Sequence, residues 1–411
     1  MKPFFRQLLY MLTALAIIWF FLPERYAVNV PLGLLGPHNW PSVDDPLEKR
    51  LHLPDGFTIR LYASELRDAR ALKLTRTGDL LVSLPRSGTI VLLETDRDND
   101  GYPDGRHQLV SGLNRPHGID LHDGWLYVAE TNAIRRVRFD QQSRVIHGDV
   151  ETVVTGIPAG GNHWTRSLRF GPDGWMYLSV GSSCNACIET NPWRATILRF
   201  RPDGNDGEIH ATGLRNMVGF DWKPDTGELY GVDIGRDFLG NDFPPDELNH
   251  IERGSFHGWP YTNGNRVADP DLGHGRQTEI DKSVRPSHEF PAHSTPLSIH
   301  FLRSEAFPHG YKDAALVTLH GSWNRTEKQG YEVVSLHFGK DGTISERKFI
   351  SGFEVEGKVI GRPVDIAESA DGTLFISDDF SGSIYAITPE NSLTALHLGK
   401  KKHQTPSKIQ H

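Results

Sequence analysis

The sequence predicts an all-β chain folded as a six-bladed β-propeller, preceded by an N-terminal hydrophobic helix. Three observations carry this expectation. A hairpin pattern recurs along the chain at intervals of about 50 residues. Turn formers are frequent, with 41 Gly and 26 Pro in 411 residues, which suits many short strands joined by tight turns. No long segment outside the N-terminus has the 3.6-residue apolar period of a helix.

The N-terminal element comes first. Lys2 and Arg6 precede an apolar run from Leu8 to Leu22, broken only by Thr13. A short cationic start followed by such a run reads as a secretory signal or an uncleaved anchor, assigned to residues 1–30. The run is short for a spanning helix, which usually needs about 20 apolar residues. PERYAVNVPLG shows no clear small-x-small cleavage site, which favours retention. The rest of the chain is then expected on the far side of the membrane, periplasmic or extracellular.

The propeller is expected over residues 45–392. The segment Gly56–Ser64 (GFTIRLYAS) is strand-like and is expected to complete the last blade and close the ring. The hairpins follow, with turn glycines at Gly78, Gly124, Gly174, Gly227 and Gly372. In each, a polar corner supplies positive φ and alternating apolar residues line one sheet face. The interval from Gly227 to Gly372 leaves room for one more copy, best matched by YKDAALVTLHGSW from Tyr311. Lone four-stranded blades cannot bury both faces, so six such units stack radially. A β-sandwich is the rival all-β arrangement. Asn263–Pro291 is polar and aperiodic and reads as a long loop; residues 393–411 read as a disordered tail.

The net charge of −8 argues against nucleic acid as a partner, because a phosphate-binding surface needs a basic excess. The two cysteines, Cys184 and Cys187 in GSSCNACIE, cannot make a four-ligand zinc site alone. An oxidising compartment favours a local disulfide between them; free thiols and a redox role are the alternatives.

Propellers carry functional groups on loops at the channel mouth, so residues flanking the hairpins matter most. His163, in GNHWTRSLRFGPDGWMYLSVG, precedes a hairpin and is either a proton acceptor or an ordinary hydrogen-bonding histidine. Arg215 and Asn216, in ATGLRNMVGFDW, suit carboxylate or quinone oxygens, or form a surface turn. DIGRDFLGNDFPPDELNHI is rich in Asp, Gly and Pro and reads as a calcium loop or a solvated acidic loop. Trp323, Asn324 and Arg325 in HGSWNR, and Arg362 in VIGRPVDIAESADG, add cations suited to an anionic cofactor. TDRDNDGYPDG places Asp96, Asp98 and Asp100 before Gly101, like the start of an EF-hand calcium loop, but His107 stands where the closing Glu belongs. It is either a structural calcium site or a plain polar turn.

Together, H-x4-L-x-F-G-P-D-G, G-L-R-N, GRDFLGNDFPPDELN, HGSWNR and G-R-P-V-D resemble the glucose/sorbosone dehydrogenase family, in its sorbosone and pyranose dehydrogenase branch. The resemblance covers roughly residues 45–390. It implies a six-bladed propeller that holds pyrroloquinoline quinone (PQQ) in the channel mouth above a Ca²⁺. It implies His163 as general base, and Arg215 as stabiliser of charge on the reduced cofactor. Arg215 and Asn216, with Asn324, Arg325 and Arg362, would contact that cofactor. Carbonyls of Gly235 and Arg236 would hold the Ca²⁺. Two departures stand out: Val364 replaces a second basic residue of the glucose enzymes, and the calcium loop is longer. The implied activity is oxidation of an aldose, sorbosone or related pyranose, with electrons passing to an external quinone or a separate cytochrome. No CxxCH haem motif is present in the sequence.

Two other functions remain open at this level: a Ca²⁺-dependent hydrolase or lactonase, and a non-catalytic glycan-binding propeller. The first has no need for several arginines at the mouth. The second has no need for His163 and Arg215 to converge.

Overall fold

Turn glycines set the hairpins. Gly78, Gly124, Gly174, Gly227 and Gly372 all adopt positive φ, between 72° and 87°, each between the first and second strand of a sheet. The structure, a computed structural model, describes residues 3–20, 24–29 and 47–390. Among these are six four-stranded antiparallel sheets, the blades of a propeller.

Blade 1 runs from Leu72 to Val110, blade 2 from Ile119 to Val154 and blade 3 from Leu168 to Thr212. Blade 4 runs from Met217 to Phe290 and blade 5 from Pro296 to Ile350. Blade 6 takes three strands from Pro363 to Pro389 and its outer strand from Phe57–Ala63. That strand pairs antiparallel with Ser383–Pro389, Phe57 opposite Pro389, so the first and last strands of the propeller close the ring. The expected fifth copy is present, with Ala315–Leu319 as the second strand of blade 5.

Alternation along the strands fills the gaps between blades with apolar side chains. One cluster joins blades 6 and 1 through Leu80, Val82 and Ile384. Another joins blades 4 and 5 through Val232, Leu248 and Val317. Such fully buried side chains each contribute roughly 1.5–3 kcal/mol. The first strands of neighbouring blades lie against one another and line the channel.

Carboxylates staple these inner strands. Asp120 accepts from Phe170 N at 2.8 Å, Asp221 from Phe301 N at 2.9 Å, and Asp365 from Leu72 N at 2.8 Å. Each Asp thus ties an even-numbered blade to the next odd one. Lys73, Arg169 and Arg303 pair with these acids. Asp221→Ala leaves Arg169 and Arg303 without their shared partner and frees Phe301 N. It is expected to destabilise the protein by about 3 kcal/mol, read by guanidinium denaturation; a change within about 0.5 kcal/mol would contradict the staple.

Outside the blades the structure differs from one expectation. The stretch Asn263–Pro291 is not one loop. It holds the ribbon Thr262–Asn263/Val267–Ala268, the helix Gln277–Lys282 and the outer strand of blade 4, His288–Phe290. Its polar residues are used internally: Asp269 takes Arg236 Nη1 at 2.7 Å and Asn263 Nδ2 at 3.0 Å. The N-terminal run forms the helix Pro3–Phe20, with Phe5, Leu9, Tyr10, Met11 and Leu12 exposed. Among the described residues no helix is long and apolar enough to cross a membrane. The expected tail, 393–411, lies outside the described residues.

Candidate active site

Every first strand begins at one face of the ring, and the loops joining second to third strands lie at that same face. All six blades therefore contribute to a single mouth. A cavity of about 330 Å³ lies there, lined by Arg70 and Arg86 of blade 1, Arg115 of blade 2, His163 and Trp164 of blade 3, Asn216 of blade 4, His320 of blade 5, and Arg362 and Asp379 of blade 6. A larger cavity, about 710 Å³, opens at the other end of the channel. Its Asp120, Asp221 and Asp365 are the structural staples, already paired with cations, so the smaller cavity is the better candidate for chemistry.

His163 meets the cavity from the loop before blade 3. Its Nδ1 lies 3.0 Å from Ser182 O and 2.9 Å from Ser182 Oγ. Ser182 Oγ spends its own proton on Cys184 O at 2.7 Å. Nδ1 is therefore the protonated nitrogen, and Nε2 keeps a lone pair. Burial first, then Arg215, pushes the imidazole down to about 3, so the ring is neutral at pH 7. Gly181 allows this packing: a Cβ there would come within 2.7 Å of His163 Cβ and 2.8 Å of Asn216 Oδ1. Asn216 Oδ1 is buried without a hydrogen-bond partner. Its main-chain N donates to Asp233 at 2.6 Å.

The opposite wall is built around Asp379. Arg70 Nη1 lies 2.6 Å from Asp379 Oδ2, and His320 Nε2 lies 3.0 Å from Asp379 Oδ1. Arg362 Nε is 3.3 Å from Asp379 Oδ1, and its Nη2 is 2.6 Å from His320 Nε2. Burial raises the Asp379 carboxyl, but Arg362, His320 and Arg70 outweigh it and hold the group well below the usual range. Trp164 supplies a flat wall, with the Arg115 guanidinium 3.9 Å from its ring centroid. Four arginines face two aspartates, Asp68 and Asp379, so the mouth is cationic in a chain of net charge −8.

Other expected residues lie elsewhere. Arg215 does not line this cavity; its guanidinium is 3% exposed and donates to the carbonyls of Asn185, Ile234 and Gly235 and to Asp237. Asn324 also lies outside: its Oδ1 accepts from Phe238 N, and its Nδ2 ties down the carbonyls of Arg25 and Ala27. Arg325 reaches Ala292 O and Asp242 instead. Gly235 O is held by Arg215 Nη1 at 2.8 Å, and the Arg236 side chain pairs with Asp269 and Asp271. In the exposed turn after blade 1's third strand, oxygens of Asp96, Asp98 and Asp104 lie within 4.8 Å of one another. Asp100 is not of that group; its Oδ1 accepts from Tyr102 N. Cys184 and Cys187 form a disulfide. Arg70, Trp164, His320 and Asp379 were not singled out by sequence reasoning. His320, the first residue of HGSWNR, and Trp164, next to His163 in GNHWTR, carried a usable signal.

Behind the mouth, blade 4 sets a half-buried Glu247 opposite the buried Asp233. Burial, then Asp233, raises Glu247 to about 8, and burial raises neighbouring Asp246 to about 7. The folded chain then holds protons that the unfolded chain has released. Their stabilisation, full below about pH 4, is lost as pH rises toward 8, by up to about 1.4 kcal/mol per unit for each group. The buried neutral histidines act in the opposite sense, but only below about pH 6.5. The melting temperature is therefore expected to fall from pH 6.5 to 8, and Glu247→Gln to flatten that fall. Parallel profiles would contradict the assignment.

Known proteins resemble the chain over this whole assembly. A family model described as TrAA12-like matches residues 51–265 and 264–390. An uncharacterized protein of Borreliella burgdorferi is 29% identical over 358 residues, covering 84% of this chain and 92% of that protein. A pyrroloquinoline quinone-dependent pyranose dehydrogenase of Coprinopsis cinerea is 25% identical over 407 residues, covering 82% of this chain; the match spans 54% of that protein, about half its length. Among solved structures, the holo form of the Coprinopsis cinerea pyranose dehydrogenase PQQ domain superposes with a TM-score of 0.71 at 21% identity, covering 85% of this chain and 99% of that one. The calcium structure of a Trichoderma reesei carbohydrate-active enzyme of family AA12 gives 0.71 at 22% identity, covering 83% and 97%. At these identities the structural likeness shows the propeller fold.

Proposed function

We propose that this chain, which belongs to the TrAA12-like family, oxidises a sugar using PQQ bound in the six-blade cavity. One observation carries the reading: a neutral histidine with a free Nε2 faces a wall of arginines across one cavity. The curated dehydrogenase relative supports it.

The residues present fit the cofactor. PQQ is a flat tricarboxylate, and the cavity offers Arg70, Arg86, Arg115 and Arg362, the flat Trp164 ring, and Asn216. The arginine excess also separates this reading from a Ca²⁺ hydrolase, which has no use for it. Of the carbonyls that would hold Ca²⁺, that of Gly235 accepts from Arg215 Nη1, and neither cluster of three potential metal-ligating side chains among the described residues lies in the cavity.

PQQ, when bound, supplies the two-electron acceptor for the carbon-bound hydrogen of the sugar. His163 Nε2 takes the hydroxyl proton, while the Ser182 carbonyl holds Nδ1–H and fixes the tautomer. Arg70 and Arg362, aimed by Asp379, hold carboxylates and keep their charge at any working pH. Arg215 acts from behind, as a fixed cation that keeps His163 neutral.

The substrate class is an aldose, sorbosone or related pyranose, and the acceptor is an external quinone or a separate cytochrome. The location is periplasmic or extracellular, and the N-terminal helix is the segment that would attach the chain to the membrane. The cation-led apolar helix and the disulfide support that placement. The test is dye reduction by purified protein loaded with PQQ, with and without Ca²⁺, over a panel of aldoses, sorbosone and pyranoses. Sugar-dependent reduction is expected. None with any sugar, with PQQ bound, would overturn the activity.

A further inference from the structure

The ring closed by Cys184 and Cys187 touches both the candidate base and the cation behind it. On one side, Cys184 O accepts the Ser182 hydroxyl, whose oxygen lies 2.9 Å from His163 Nδ1. On the other, Asn185 grips Arg215. Its carbonyl accepts from Arg215 Nε at 2.8 Å, and its Oδ1 accepts from Nη2 at 2.7 Å. The same side chain binds Asp237 twice, Oδ1 to Asp237 N at 2.8 Å and Nδ2 to Asp237 O at 3.0 Å. Asp237 in turn pairs with Arg215 at 3.0 Å. Asn185 thus bridges the loops of blades 3 and 4.

The loop that carries Asn185, residues 181–195, joins the second and third strands of blade 3. It is long for a hairpin connection, and loops of such length are usually functional. Its anchors at the critical end are the disulfide, Glu189, which accepts from Ser183 N and Ser183 Oγ, and two main-chain bonds, Ser182 N to Arg215 O and Asn162 N to Ser183 O. Long loops carry many conformations unless cross-linked. The blades themselves close through apolar clusters that the loop joins only at its far end, through Trp193, and not through the disulfide ring. Loosening the ring would therefore free Asn185 while leaving the propeller folded.

We propose that the Cys184–Cys187 disulfide is a clamp that makes Asn185 a positioning residue, fixing the Arg215 guanidinium and the Ser182 oxygens against His163. Its catalytic consequence rests on the reading of His163 as the base. The geometry of the clamp does not.

The charged groups facing His163 are Arg215, Arg194 and Arg166. Arg194 and Arg166 are held by main-chain carbonyls at 158–160, 163, 165 and 181, independently of Asn185. Only Arg215 should move when the clamp opens. The test compares the parent with Cys184→Ser/Cys187→Ser, Asn185→Leu and Asn185→Asp, the last keeping an oxygen for the guanidinium. Histidine titration by NMR on protein without PQQ is the first readout. In the double-Ser and Leu variants the His163 titration is expected to move up by about one pH unit as Arg215 swings away; Asn185→Asp, which holds the guanidinium but adds a charge of its own, is read by turnover, expected to stay near the parent. The second readout, on PQQ-loaded protein, is a turnover number lowered roughly tenfold in the same two variants, with the acid limb of the rate profile displaced to higher pH. A folded double-Ser variant with unchanged His163 titration and unchanged turnover would overturn the clamp. If the parent shows no PQQ-dependent turnover, the dehydrogenase reading fails, and the NMR titration still decides the clamp.

Discussion

His163→Ala is expected to lower sugar turnover by roughly 10²–10⁴-fold while leaving PQQ affinity within about twofold. The separation follows from where the side chain sits. His163 is one wall of the cavity, and the arginines that fit the cofactor's carboxylates stand across it on blades 1, 2 and 6. Nδ1–H is committed to Ser182, so removing the ring removes the only part it offers the cavity, a lone pair at Nε2. Because the imidazole is held down to about 3, the parent rate should stay flat on the acid side until well below pH 6. Stopped-flow reduction of the loaded enzyme measures both quantities. Equal turnover in the variant would remove His163 from the reaction.

Asp379→Ala is expected to destabilise the protein by about 3–5 kcal/mol. This carboxylate is buried among Arg70, Arg362 and His320, and its loss leaves two guanidinium groups without their shared counter-ion. Asp379→Asn should cost less, because the amide still accepts one hydrogen bond. Denaturant unfolding reads the difference. PQQ binding should weaken in Asp379→Ala even though the mouth gains net positive charge, because Arg70 and Arg362 lose the group that aims them. Tighter binding would mean that charge, not aim, governs the site.

Much of the architecture could be read from residues alone. The positive-φ corners at Gly78, Gly124, Gly174, Gly227 and Gly372 repeat at nearly even spacing because each closes the same inner hairpin. Blade 5 was harder, since its corner runs from 302 to 314 and has no such glycine hairpin. Residues placed just before an inner strand were legible too: His163, Asn216 and Arg362 all line the cavity. The Asp379 cluster was not, because Arg70 and Asp379 are 309 positions apart and meet only when the ring closes. Nor does sequence show which way HGSWNR turns. Gly321, at φ 107°, leaves His320 at the mouth and carries Asn324 away to the segment around Arg25–Ala27. The calcium-like turn shows the same limit: spacing suggested Asp100, whereas the fold gathers Asp104.

Titrating purified protein with PQQ while following tryptophan emission tests directly whether the six-blade mouth is a PQQ site, because Trp164 lines the cavity. Saturable quenching with one PQQ per chain, lost in Trp164→Phe and weakened at least tenfold in the Arg70→Met/Arg362→Met variant, is the expected result. An absence of saturable binding, or binding indifferent to those arginines, would contradict it.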